Sequence, residues 1–272
     1  KVMGATAASA GESPFMPRRN TRSEYVKGFS QLVADNQLEG ILATAWDDGS
    51  PHLETVWRGF IAQGEFGWNP SEYGFRPEDN RMAFLDELEK AVFFFDGALV
   101  TSGRRNPAWG TTAFTLMELP DKTKPGAWSE LYKDKIAQAK IEAGRYEKIV
   151  QGIRTAEAEA LRNRYTLQVY EQTNNVQNYP VRLILALNAY DTAKDDAARE
   201  AALEKVAEVC SYFDVMRSNL ESVYSETRFM EQPEGFISDL NHHNHLASKT
   251  NNSDWWYYYE IPMVKKVRAW MK

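Results

Sequence analysis

The chain has 272 residues, 43% hydrophobic and 26% charged, enough apolar material for one large or two ordinary globular domains. A net charge of −6 gives no general attraction to nucleic acid or an anionic membrane, which need clustered Lys and Arg. The longest apolar runs, such as 91–95 and 183–187, fall far short of the roughly 18 to 20 residues that span a bilayer, and a single cysteine, Cys210, excludes an intramolecular disulfide and a cysteine-based zinc site.

Residues 2–9 form a small, apolar run with the pattern of a buried strand, followed by loop punctuation at Gly11, Ser13, Pro14 and Pro17. Lys1 leads straight into this run without an initiator Met or a signal-peptide pattern, so the sequence is expected to be a piece of a longer protein. A bacterial periplasmic or secreted setting is favoured over a cytoplasmic one, though the compartment stays open. Thr21 as N-cap with Glu24 three residues on predicts a helix carrying Tyr25, Val26, Phe29, Leu32 and Val33 and ending near Asn36.

Residues 38–46, LEGILATAW, are a continuous apolar stretch of strand length, the pattern of a parallel strand covered on both faces. A second helix is predicted next, with Leu53, Val56, Trp57, Phe60, Ile61 and Gly64 on one side. Strand, helix, strand, helix implies a parallel βαβ unit, and two strands cannot close a barrel alone.

Beyond Asn69 no further convincing strand pair is expected, and helical periodicity takes over. Residues 70–77 read as a linker, 76–99 as one or two shorter helices, and 103–126 as Gly- and Pro-punctuated chain. From Trp128 the apolar spacing predicts one helix running to about Gln172, on the order of 65 Å long. Pro180 is expected to start or kink a second helix with Leu183, Leu187 and Tyr190, and a third carries Leu203, Val206, Cys210, Phe213, Met216, Leu220 and Val223. Three such helices bury their stripes most economically as a bundle. An irregular polar segment precedes a terminal helix over 253–271. The expected fold class is therefore mostly α, with residues 1–75 as one unit and 76–272 as a helical domain.

The strongest functional signal is Thr44-Ala45-Trp46-Asp47-Asp48, where an aromatic ring and two carboxylates stand at the end of an apolar parallel strand. Strand C-terminal ends form the ligand face in barrels and open α/β sheets alike. Trp46 offers a plane for the C–H face of a sugar, and a neighbouring carboxylate accepts hydrogen bonds from its hydroxyls. His52 lies close enough in sequence to reach the same pocket, with a solvated first-turn position as the equal alternative. The bland alternative, a core Trp46 with Asp47 and Asp48 capping the next helix, stands beside this reading.

The segment from Gly4 to Pro14, then a helix, then 38–46 and an amphipathic helix, resembles the last two strands of family 20 glycoside hydrolases, closest to the hexosaminidase D-like branch with its Gly-Ile-Ile-x-Thr-x-Trp pattern. The resemblance covers about the first 70 residues. It implies a (β/α)8 barrel of which this chain holds the final two βα units, and a parent enzyme that is a retaining β-N-acetylhexosaminidase working by substrate-assisted catalysis. It also implies that Trp46 lines the wall of the N-acetylhexosamine subsite and that Asp47 or Asp48 holds the sugar's outer hydroxyls. Better-known members read Trp-Gly-Glu where this chain has Trp-Asp-Asp, which leaves the inward carboxylate undecided.

The catalytic Asp-Glu pair of that family ends its fourth strand, and no such strand precedes Lys1. The resemblance thus implies no catalytic residue here and an inactive chain by itself, with the missing N-terminal part and a glycan or amino sugar as partners. No nucleic acid, membrane, cofactor or metal is expected. His242, His243 and His245 lack a paired acidic or cysteine motif, Trp255 to Tyr259 reads as an anchor for the terminal helix, and Glu54 and Glu65 default to salt-bridge or surface roles. The alternative function is a non-catalytic carbohydrate-binding or helical interaction module.

Overall fold

A computed structural model describes residues 2–10, 23–46, 53–70, 83–103, 113–228 and 253–272. The chain is mostly α-helical. It begins with strand β1 (Gly4–Ala10), helix α1 (Ser23–Asp35) and strand β2 (Ile41–Trp46), followed by a 3-10 turn (Leu53–Val56) and helix α2 (Trp57–Trp68). β1 and β2 pair in parallel, from Gly4 opposite Ile41 to Ala10 opposite Trp46, with an irregularity between Ala7 and Ser9. The Thr44 hydroxyl donates to the Thr6 carbonyl at 3.1 Å and pins the two strands near their ends.

Helices α1 and α2 pack on each other and on β1. Gly4 is required by that approach: a Cβ there would lie 2.5 Å from Val33 Cγ2 and 2.9 Å from the Phe29 ring. Val26, Ala62 and Phe66 form the small apolar core between the helices. The opposite face of the strands is open, since Ala5 and its partner Leu42 are both exposed.

The face of α2 that is buried differs from the expected one. Val56, Gly59, Ala62 and Phe66 face inward, whereas Trp57 and Ile61 are 52% and 58% exposed. Small side chains at 59 and 62 let the helix axis approach its neighbours, and the bulkier stripe is turned outward. Trp68, 92% exposed, lies on the same outer surface.

After residue 83 come helix α3 (Phe84–Gly97), strands β3 (Val100–Ser102) and β4 (Thr115–Leu116), and helices α4 (Ala127–Leu131), α5 (Lys133–Glu159), α6 (Arg164–Asp191) and α7 (Asp196–Ser225). A 3-10 turn (Ser253–Tyr257) leads into helix α8 (Glu260–Met271). The antiparallel pair β3–β4 corrects the expectation that no strand pair follows Asn69. It is only two or three residues per strand, too short to leave an alternating pattern.

The single helix expected over 128–172 is also corrected. Tyr132 separates α4 from α5, and the chain breaks again after Glu159, with Ala160 extended and Asn163 left-handed at φ 59°. Asn tolerates that conformation better than most residues. Pro180 neither starts nor ends a helix but lies inside α6. It has no N–H to give the Val176 carbonyl; its burial and the packing of α6 on α5 and α7 hold the helix together across it.

α7 is capped as sequence physics favours: the Asp195 side chain accepts from the Ala198 amide at 2.8 Å. Its buried stripe is Ala202, Val206, Val209, Cys210, Phe213, Met216, Leu220 and Val223. The aromatic run before α8 closes the main core, where Tyr257 packs edge-on to Phe213 at 5.5 Å and Phe213 lies 5.4 Å from Tyr179. A second apolar cluster joins Phe84, Leu88 and Val92 of α3 to Ile149 and Ile153 of α5 and Leu167 and Tyr170 of α6. Each such side chain contributes about 1.5–3 kcal/mol on full burial.

Candidate functional site

β1 and β2 run in parallel and end side by side at Ala10 and Trp46, so both strand C-termini open on one edge of the unit. Trp46 is the last residue of β2. Asp47, Asp48 and His52 lie outside the described residues, as do His242, His243 and His245. The described backbone thus places Trp46 where the chain leaves the strand end, and the description resumes at the turn 53–56.

That turn is held by groups from the long helices. The Arg228 Nη2 donates to both Glu54 carboxylate oxygens at 3.1 Å, and its Nη1 donates to the Tyr165 hydroxyl at 3.0 Å and the Thr227 hydroxyl at 2.8 Å. The Tyr170 hydroxyl donates to the Glu54 carbonyl at 3.0 Å. One turn on, Arg58 of α2 lies 2.6 Å from Asp86 and 3.1 Å from Glu89 of α3. The Glu89 side chain is buried and those of Arg58 and Glu54 nearly so.

Burial opposes the charge on Arg58, and Glu89 and Asp86 outweigh it, so its pKa is raised. The same balance holds at Arg228, where burial is outweighed by Glu54. Burial, reinforced by Glu89, pushes the Tyr170 hydroxyl well above its ordinary pKa and keeps it a donor. Sequence reading gave Glu54 a default salt bridge, and the structure shows one. It missed Arg228 and Tyr170, whose contacts with Glu54 span more than 100 residues, and Arg58, whose partner Glu89 lies 31 residues on in another helix; neither separation leaves a local spacing to find.

A second polar feature lies between α3, α5 and α6. A small bay, with room for about one water, is lined by Phe94, Glu142, Tyr146, Asn174, Gln177 and Asn178. Gln177 is 3% exposed and neither of its amide atoms has a hydrogen-bond partner among the described residues. Glu142 accepts from Gln138 at 2.7 Å and from Arg145 at 2.8 Å. Its charge is thereby matched.

No group of three or more His, Cys, Asp or Glu residues able to hold a metal occurs among the described residues. None of their helices is long and apolar enough to cross a membrane. Trp256, Tyr257 and Tyr259 are buried in the core, as an anchoring role requires. No family model, curated protein or solved structure matches the chain.

Proposed function

We propose that this chain is the C-terminal part of a glycoside hydrolase similar to family 20, a retaining β-N-acetylhexosaminidase with substrate-assisted catalysis. In this reading residues 1–75 supply the last two βα units of a (β/α)8 barrel, and residues 76–272 form a helical bundle domain against it. The catalytic Asp-Glu pair belongs to the upstream part, and the chain alone is inactive. Trp46 lines the sugar subsite, Asp47 or Asp48 holds outer hydroxyls, and His52 stands beside them.

The observation that carries the reading is the parallel β1–α1–β2–α2 unit, whose strand ends meet at Trp46. Its surface supports it further. Parallel sheets occur with both faces covered, yet Ala5 and Leu42 are exposed, and so are Tyr25 and Leu32 on α1 and Trp57, Ile61 and Trp68 on α2. Additional strands and helices of a barrel would cover these surfaces.

The test is hydrolysis of an aryl N-acetyl-β-glucosaminide by the full-length protein, with calorimetric titration of sugar into Trp46→Ala. Cleavage, with affinity lowered about tenfold or more by loss of the stacking plane, is expected. Cleavage of other glycosides instead would overturn the substrate, and unchanged affinity would remove Trp46 from the site. Binding of glycan without any hydrolysis would favour the non-catalytic module.

A further inference from the structure

Segment 53–58, the first described stretch after Trp46, is gripped from two directions. Arg228, just past the end of α7, and Tyr170 of α6 hold Glu54, while Asp86 and Glu89 of α3 hold Arg58. For stability alone this is a poor choice, because removing such charges from water costs about as much as the pairing returns, and apolar side chains of similar volume do as well. Charge-assisted hydrogen bonds add orientation. A planar guanidinium that addresses a carboxylate with one nitrogen and two hydroxyls with the other accepts only one arrangement of its partners.

We propose that Arg228, Tyr170 and Arg58 are positioning residues: the helical part fixes segment 53–58, and through it the ligand-facing end of the β2 strand, in the geometry that glycoside cleavage needs. The inference rests on the glycosidase reading above. It makes the helical domain a determinant of turnover as well as a buttress. None of the three residues touches substrate. Their effect passes through the turn that Glu54 anchors and through helix α2, which packs on β1 and β2.

The test uses the full-length enzyme and first establishes which aryl glycoside the wild type cleaves. Arg228→Met and Tyr170→Phe should each lower kcat/KM about ten- to a hundredfold, the cost of displacing a reacting geometry by about an ångström. The loss should fall more on kcat than on KM, and Arg228→Lys, which keeps the charge, should recover part of it. Arg217→Met is the control. Arg217 binds Glu221 and Asp254 at 2.7 Å each, tying α7 to the 3-10 turn before α8. It should change kcat/KM less than about twofold while shifting the melting temperature as much as Arg228→Met does.

Wild-type kcat/KM in Arg228→Met and Tyr170→Phe would overturn the proposal. So would an equal loss in Arg217→Met, which would mark the effect as general destabilisation. If the wild type cleaves only a glycoside other than the N-acetylglucosaminide, the substrate assignment fails and positioning is read on the glycoside that is cleaved. If it cleaves none, both fall.

Discussion

Gly144 and Gly152 lie in the same helix, α5, and should answer oppositely to the same substitution. In a helix interior, Gly→Ala gains roughly 0.5–1 kcal/mol, because the unfolded chain loses freedom and the helix does not. A Cβ on Gly144 would meet nothing within 4 Å among the described residues, so Gly144→Ala should be stabilising by about that amount. A Cβ on Gly152 would lie 2.6 Å from Phe84 Cβ and 3.1 Å from Cγ and Cδ1. The nearest atom is Phe84 Cβ, next to the α3 backbone, so rotation of the ring cannot relieve the clash and the two helices must part. Overpacking of this kind costs about 1–3 kcal/mol. The propensity gain is common to both variants and cancels in their difference. Gly152→Ala should therefore be less stable than Gly144→Ala by about 1–3 kcal/mol in urea unfolding. Equal stability, or a more stable Gly152→Ala, would refute the close approach of α3 and α5 at Phe84.

Other consequences can be measured in the same way. Gln177→Met removes a buried amide without a partner among the described residues and fills similar volume, so it should raise stability by about 1 kcal/mol; a loss of that size would mean that the amide is satisfied by water in the bay. Lys135 donates to the carbonyls of Gly97, Ala98 and Val100 at 2.5, 3.0 and 2.7 Å, so Lys135→Met should cost about 2 kcal/mol in urea unfolding by orphaning the end of α3, and an unchanged midpoint would contradict it. Burial pushes the Cys210 thiol up to about 11. Its neutral form therefore favours the fold fully below the ordinary thiol pKa, and this contribution is lost as pH rises through the folded value. Unfolding midpoints compared at neutral and alkaline pH should fall more steeply for the wild type than for Cys210→Ala, and parallel curves would refute the shift.

Element type was legible in the sequence wherever one stripe decided it. The α7 stripe from Val206 to Val223 is buried as its spacing requires, and β2 is an apolar run that pairs in parallel. Periodicity failed where a single residue controls the backbone. The spacing continues across residues 160–163, and only the left-handed Asn163 marks the break. Pro180, expected to start or kink a helix, does not start one but lies inside α6, since burial on two sides can carry a helix over one missing donor. On α2, choosing the stripe by size picked Trp57 and Ile61, whereas Gly59 and Ala62 line the inner face because close approach needs small side chains.

The candidate site divides in the same manner. The strand end at Trp46 follows from local sequence, because an apolar run that stops at two carboxylates announces its own C-terminus. The support around it does not. Glu54 finds Arg228 across 174 residues and Tyr170 across 116, distances over which no pattern in one sequence links two positions. Phe84 connects the first prediction to this support, since its ring packs edge-on to Tyr170 at 5.9 Å. A methyl group at Gly152 that displaces Phe84 thus presses on the residue whose hydroxyl holds Glu54. If the clamp governs turnover, Gly152→Ala should lower kcat/KM of the full-length enzyme even where the fold persists, and Gly144→Ala should not. Equal turnover in the two variants, with the stability difference intact, would separate packing from positioning and confine the role of α3 to the core.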